Sequence, residues 1–294
     1  MYNFNPYEML GAIAAKGLQN QVLNPGDYYN NDGLLVCGKC GQMRQSLLEV
    51  NDPTDDDQDR KSMLKVPIFC DCEKAQEQER EQKEARKDAL QKIERLKQMS
   101  LMDAKFRNVT FDTFSVRKEN ELSLKKCRNY AASFEEWEKE NTGLILWGNK
   151  GTGKSTAAAC IANSLLNRGV STIMTSFGSI IRTIESRDER ESRLIGRLNS
   201  ARLLIIDDLG TERASDYVIE KVYNVVDARY RRQKPLIITT NLSIRDMRDE
   251  LDIRYARIYD RLFEICHPIQ FTGDSWRISS ARDQYKLIDK RLSK

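Results

Sequence analysis

The chain lacks any run of about 18 apolar residues, which excludes a membrane-spanning helix. Residues 1–10 have neither a basic region nor an apolar core, so no secretory signal peptide is expected. Both absences point to a cytoplasmic protein. Histidine is nearly missing: His267 is the only one in 294 residues. Cysteine is present in an odd number, seven. In a reducing compartment these would serve as metal ligands or free thiols rather than disulfides. A net charge of +4 is too small to demonstrate nucleic-acid binding and merely permits it. With 40% apolar and 31% charged residues the composition is that of a soluble globular protein. The length allows one large domain and a small one.

The stretch Gly148-Asn149-Lys150-Gly151-Thr152-Gly153-Lys154-Ser155 fits G-x-x-x-x-G-K-[ST], the phosphate-binding loop. Leu144-Ile145-Leu146-Trp147 before it is long enough for a buried strand, and the Ala-rich run from Thr156 after it starts a helix. Glycines let the backbone curl so that successive N–H groups face phosphate oxygens. The helix opening at Lys154 adds its positive end. Lys154 would reach the β- and γ-phosphates of ATP, and the Ser155 hydroxyl would ligate Mg2+. Thr156 completes the candidate nucleotide-binding stretch. A Gly-rich turn can match by accident, but the strand before and the helix after argue against that.

Four further apolar runs, at 170–175, 203–206, 236–239 and 268–271, read as strands. Helical stretches at 154–167, 177–199, 215–232 and 254–264 separate them. This alternation predicts an α/β fold with a parallel five-stranded sheet covered by helices on both faces. Residues 106–111 form a short segment of the kind that packs beside an adenine. Residues 121–140 read as one amphipathic helix with Cys127, Tyr130, Ala131, Phe134 and Trp137 on its stripe.

The third strand ends in Asp207-Asp208. Asp207 would hold Mg2+ directly or through water, and Asp208 would orient and deprotonate the attacking water. Paired acids are otherwise a common loop start. Asn241 closes the fourth strand, which in the usual P-loop order lies between the first and the third. Its amide would sit beside the γ-phosphate, the plainer alternative being a turn Asn ahead of Ser243, a helix cap. Arg254, Arg257 and Arg261 punctuate a helix whose other side is apolar. Most such arginines are solvated, yet an ATPase coupled to assembly needs a cation from a neighbouring subunit.

Toward the N-terminus, Tyr7, Leu10, Ile13 and Ala14 are spaced as on a short helix. Cys37 and Cys40 have the shape of a zinc knuckle, and Cys70 and Cys72 can also chelate. Four sulfurs suffice for a tetrahedral Zn2+ site. Four unrelated buried thiols and an iron–sulfur cluster are the alternatives. The metal would be structural, with no open position and no nearby His or Glu to act as a base. Between this region and the P-loop, residues 73–100 contain no Gly or Pro and balance seven acidic against eight basic residues. They read as a solvated helical spacer, with Ala85, Ala89, Ile93 and Leu96 as a stripe that should dock.

The ordered set GNKGTGKS, LLIIDDLG, TTNL, RIYDRL and GDSWR resembles the AAA+ ATPases of the bacterial replicative-helicase loaders, DnaC and DnaI type. Transposase-helper ATPases of the IstB type share that clade. The resemblance covers about residues 101–280. It implies an AAA+ core in which Lys154 and Ser155 are the Walker A pair and Asp207 and Asp208 the Walker B pair. Asn241 becomes sensor 1, Arg261 the arginine finger with Arg257 as second candidate, and Arg277 the second sensor arginine. Asp208 is shorter than the Glu many members carry, and a reduced lid is expected because few residues follow Phe271. The implied arrangement is residues 1–72 as a helicase-binding zinc module, 73–100 as a linker and 101–294 as the ATPase. The implied partners are a hexameric DnaB-type replicative helicase, single-stranded DNA and further copies of the chain joined through ATP interfaces, with no membrane partner. Candidate DNA contacts fall at residues 175–183, chiefly Phe177 and Arg182, and at 211–213. A transposase helper is the competing reading, and a phage or prophage loader fits the same motifs.

Overall fold

The computed structural model describes residues 14–51, 61–115, 118–186, 191–210 and 215–276, with 285, 288, 289, 291 and 292. Tyr7, Leu10 and Ile13, residues 211–213 and Arg277 lie outside the described residues. The chain divides into two compact units, Met1–Asp88 and Ala89–Lys294.

In the first unit, residues 14–19 are helical. Two short antiparallel strands follow, β1 (Tyr28–Tyr29) and β2 (Leu35–Val36), then a longer antiparallel pair, β3 (Gln45–Asn51) and β4 (Lys61–Pro67). Helix α1 (Asp71–Met99) begins in this unit. Its charges pair along the surface, Glu79 with Lys83 at 2.6 Å, as expected of i,i+4 neighbours. The expected docking stripe is only half realised. Ala85 and Ala89 are exposed, while Ile93 and Leu96 are half-buried and Leu96 reaches the core of the second unit. Two alanines carry too little apolar area to compel burial.

The second unit contains β5 (Gly143–Gly148), β6 (Thr172–Ser176), β7 (Leu203–Leu209), β8 (Leu236–Thr240) and β9 (Cys266–Phe271), in the order β6-β7-β8-β5-β9. Every adjacent pair is parallel. The first four residues of β7 and the middle of β5 are wholly apolar because alternate side chains go to opposite faces and both faces are covered. Leu203 and Ile205 join one core cluster, Leu204 and Ile206 the other. β8 lies between β5 and β7, so the side chains at its end stand beside those of both.

The helices of the second unit are α2 (Glu121–Ala132), α3 (Phe134–Lys139), α4 (Lys154–Asn167), α5 (Phe177–Glu185), α6 (Glu191–Ser200), α7 (Asp216–Arg231), α8 (Ile244–Arg248) and α9 (Ile253–Ile265). The single helix expected over 121–140 is two. Ser133 leaves helical geometry at φ −102°, ψ 30°, and Phe134 beyond it is fully buried. The stretch 177–199 is likewise two helices, α5 and α6. Ala157, Ala158, Ala159 and Ala162 of α4 are all buried, which lets that helix lie close beneath its neighbours. Ser243 caps α8 as expected, in a reciprocal pair with Asp246.

Candidate functional site

The loop Gly148–Ser155 follows β5, where the backbone turns through conformations that side chains rarely adopt. Gly148 and Gly151 have φ of 137° and 80°. Space is equally restrictive: a Cβ on Gly148 would meet the Phe271 carbonyl oxygen at 2.0 Å, and one on Gly151 would meet Ser275 Oγ at 2.1 Å. The Gly151 carbonyl accepts the Trp276 N–H at 2.9 Å, so the segment after β9 is laid directly on the loop. Asn120 adds a second tie, donating to the carbonyls of Thr152 and Thr272 at 3.2 and 2.8 Å.

Lys154 opens α4 and is buried. Its ammonium donates to the carbonyls of Gly148 and Asn149, both at 2.8 Å, and to Asn241 Oδ1 at 2.9 Å. Asn241 thus reaches the loop from the end of β8, which follows from that strand's place beside β5. Thr152 turns inward, its hydroxyl donating to the Asn149 carbonyl at 2.9 Å.

The carboxylates of β7 are arranged by Thr239 on the neighbouring strand. Its hydroxyl donates to Asp207 and accepts the Asp208 N–H at 3.0 Å. The strand does not end at the acids but runs on to Leu209 through a register shift between Ile206 and Leu209. Asp208 sits in that shift with φ 59°, an uncommon conformation for a residue with a Cβ. The bulge aims Asp208 into the nucleotide cavity while Asp207 stays behind. Burial pushes the Asp207 carboxyl above the ordinary carboxylate range; hydrogen bonds from Thr239 and Ser155 oppose the shift, and the Asp208 charge adds to it. A half-buried carboxylate joined to a hydroxyl offers the hard oxygen ligands that Mg2+ prefers, so the residues fit that ion.

Lys154, Ser155, Asp208 and Asn241 share a cavity of about 820 Å³, within the size range of sites for small molecules. Lys150, Gly151, Gly153, Lys154, Ser155 and Thr156 form its floor, and Asp208 and Asn241 its far side. Phe106, Val109 and Phe114 supply an apolar wall, with Lys105 and Trp276 also lining the space. Asn163 of α4, which is buried, fixes that wall by donating to the carbonyls of Phe106 and Val109 at 2.8 and 2.7 Å. Lys105, Phe114 and Asn163 carry no motif, and Thr239 and Trp276 lie within TTNL and GDSWR without being read there as site residues. The one trace was a pair of threonines ending an otherwise apolar strand, since a buried hydroxyl needs a partner.

The geometry can be set beside known proteins. Residues 70–284 match the family described as IstB-like ATP binding protein. The chain belongs to that family. Among its relatives, the replicative helicase loader DnaC of Escherichia coli K12 is 30% identical over 160 residues, 53% of this chain and 63% of that protein. The replicative helicase loader DnaI of Bacillus subtilis 168 is 23% identical over 199 residues, 62% and 64% of the respective lengths. The matches thus span less than two thirds of either relative. A crystal structure of DnaI superposes with a TM-score of 0.51 at 23% identity, covering 60% of this chain and 98% of that one, and it shares the fold.

Within this IstB-like chain the arginines of α9 are placed differently from one another. Arg254 pairs with Asp252 and Asp216. Arg257 is exposed. Arg261 is turned onto its own α7, where Asp227 and Tyr223 hold it, and it does not line the cavity. Phe177 is buried in the core rather than offered to a ligand, because it anchors the first turn of α5 against the sheet. Arg182 donates to Ser179 Oγ at 2.9 Å on the same helix.

In the first unit, the Sγ atoms of Cys37, Cys40, Cys70 and Cys72 lie within 4.8 Å of one another. Tetrahedral Zn–S bonds of about 2.3 Å require sulfurs about 3.8 Å apart, so the set fits a structural zinc with little movement. Such an ion, when bound, would cross-link the two cysteine loops. The Gln42 backbone N–H and neighbouring thiols hold Cys40 down to about 7, and burial pushes Cys70 up to about 12. Contrary to expectation a glutamate is close by. Glu73 follows Cys72, but its carboxylate is committed to Arg44 and to the Cys70 N–H, at 3.2 Å for the latter. Arg44 in turn binds buried Asp27, which accepts the Gly38 N–H at 3.1 Å. Gln42 and Asp71 exchange two hydrogen bonds at 2.6 and 2.8 Å. Both loops are therefore positioned by side chains that bind no metal themselves.

Proposed function

We propose that this chain is an ATP-hydrolysing loader that binds a hexameric replicative helicase and helps place it on single-stranded DNA. The observation that carries the reading is the meeting of Lys154, Asp208 and Asn241 in one cavity, in a chain whose relatives include proteins named replicative helicase loaders. On nucleotide binding the Lys154 ammonium exchanges its carbonyl partners for β- and γ-phosphate oxygens, a charge-assisted and stronger set. Ser155 and Asp207 would hold Mg2+, which neutralises charge developing on the phosphates. Asp208 takes the proton of the attacking water, and Asn241, freed from Lys154, orients that water. Arg261 of an adjacent copy supplies the remaining positive charge, making hydrolysis dependent on assembly. The cysteine-bearing unit binds the helicase, and single-stranded DNA runs along the inside of the assembly. A transposase-helper role is the second reading, favoured by the match to an IstB-like family.

The test is co-purification of the full-length protein with a DnaB-type helicase in the presence of Mg-ATP. Retention by wild type and its loss in Lys154→Ala support the loader. Failure of the wild-type protein to retain any such helicase, with DNA-dependent ATP turnover intact, favours the transposase helper.

A further inference from the structure

We propose that Asp227 and Tyr223 form a latch that holds Arg261 within its own protomer until a neighbour's nucleotide displaces it. The inference rests on the reading of Arg261 as the cation delivered between subunits. Residues 223 and 227 are one turn apart on α7 and face α9. Arg261 Nε donates to Asp227 Oδ1 at 2.9 Å, and Nη2 lies 2.8 Å from the same oxygen. Nη2 also donates to the Tyr223 hydroxyl at 2.9 Å, and Nη1 to the Arg257 carbonyl at 3.1 Å. The guanidinium lies 4.7 Å from the centre of the Tyr223 ring. Every nitrogen of the side chain is thus engaged at home.

A guanidinium closed against a carboxylate presents little net charge to anything beyond it, because the two fields largely cancel. Stabilising a neighbour's γ-phosphate therefore requires Arg261 to leave Asp227. The structure makes that departure affordable. The second oxygen of Asp227 already has Arg231 Nε at 2.7 Å, so the acid keeps a counter-charge when Arg261 goes. The Arg261 side chain is 23% exposed and Asp227 13%, which leaves an open edge for exchange. A triphosphate carries more negative charge than one carboxylate and can win the competition; ADP, lacking the γ-phosphate, cannot. Asp227 is a positioning residue in this scheme, since it touches no substrate.

The experiment measures ATP turnover against protein concentration for the full-length chain with Mg-ATP and a fixed excess of single-stranded oligonucleotide. For Asp227→Asn the half-maximal protein concentration should fall about fivefold, the equivalent of ~1 kcal/mol at 1.4 kcal/mol per tenfold. Nucleotide affinity, measured separately, should stay within twofold of wild type. A purely structural role for Asp227 would raise the half-point or lower both quantities, and a half-point unmoved or raised in a folded variant overturns the latch. If Asp227→Asn does not fold, Tyr223→Phe decides: a fall of about two- to threefold is expected from one lost hydrogen bond of the guanidinium to the phenol at this partly exposed site, and no fall overturns the proposal. Arg261→Ala separates this from the underlying reading. Turnover at wild-type level in that variant refutes the inter-subunit cation and the latch with it. An inactive Arg261→Ala beside an unaltered Asp227→Asn refutes the latch alone.

Discussion

Replacing Gly151 by alanine probes how tightly the segment after β9 is laid on the phosphate loop. At φ 80° an alanine is strained by about 1–2 kcal/mol. Its Cβ would also fall 2.1 Å from Ser275 Oγ and 2.9 Å from Ser275 Cβ. Side-chain rotation can move the hydroxyl but not the Cβ, so the backbone of Ser275 and Trp276 has to retreat. The Trp276 N–H bond to the Gly151 carbonyl is then lost, at about 1 kcal/mol. A free protein can relax this strain by opening the loop. Nucleotide binding demands the closed shape, so the penalty of about 2–3 kcal/mol should be read as affinity, roughly 30- to 150-fold in Kd. Equilibrium titration with a fluorescent ATP analogue measures it, with a urea melt to show that the fold is intact. Adding Ser275→Gly relieves the contact and leaves only the backbone strain, so the double variant should recover to roughly 5- to 30-fold weaker than wild type. Folded Gly151→Ala protein binding within twofold of wild type refutes the reasoning, and so does a second substitution that restores nothing.

Three further predictions concern charge and metal. Asp207→Asn should abolish hydrolysis yet stabilise the second unit at pH 7.5. The folded carboxyl of Asp207 is raised above its unfolded value, so the protonated form favours folding and wild-type stability declines as pH climbs from about 4 through the folded pKa. The gap in urea midpoint between variant and wild type should therefore widen with pH over that window. A variant less stable than wild type throughout contradicts the assignment of burial as the cause. Metal analysis of the purified chain should find one zinc, and chelation should unfold the first unit while the nucleotide cavity still binds ATP; an N-terminal circular-dichroism signal unchanged by chelation rules out a structural ion. In the same unit Arg44→Met leaves Asp27 and Glu73 without the cation that pairs them. Breaking such a buried set costs about 3–5 kcal/mol, and zinc release to a colorimetric chelator should quicken accordingly; release at the wild-type rate would mean that the cysteine loops are held by other contacts.

The sequence alone determined the glycine-rich turn after the first core strand, the alternation of strands and helices and the cysteine set, because each leaves a local pattern. A strand buried on both faces is apolar wherever its side chains find no hydrogen-bond partner, and a tight loop must carry glycine where no side chain fits. Asn241 was legible for a related reason: once the strand order of a P-loop sheet is assumed, the end of the fourth strand falls beside the first. The tertiary structure alone decided what depended on side chains meeting across the fold. Thr239 orders both carboxylates, Asn163 secures the apolar wall and Asp227 claims Arg261 from 34 residues away. Hydrogen bonds between distant elements impose no periodicity on the chain, so residues that act through them look like any other threonine, asparagine or aspartate. The bulge at Asp208 was hidden for the same reason, since register between strands is a property of the pair and not of either sequence.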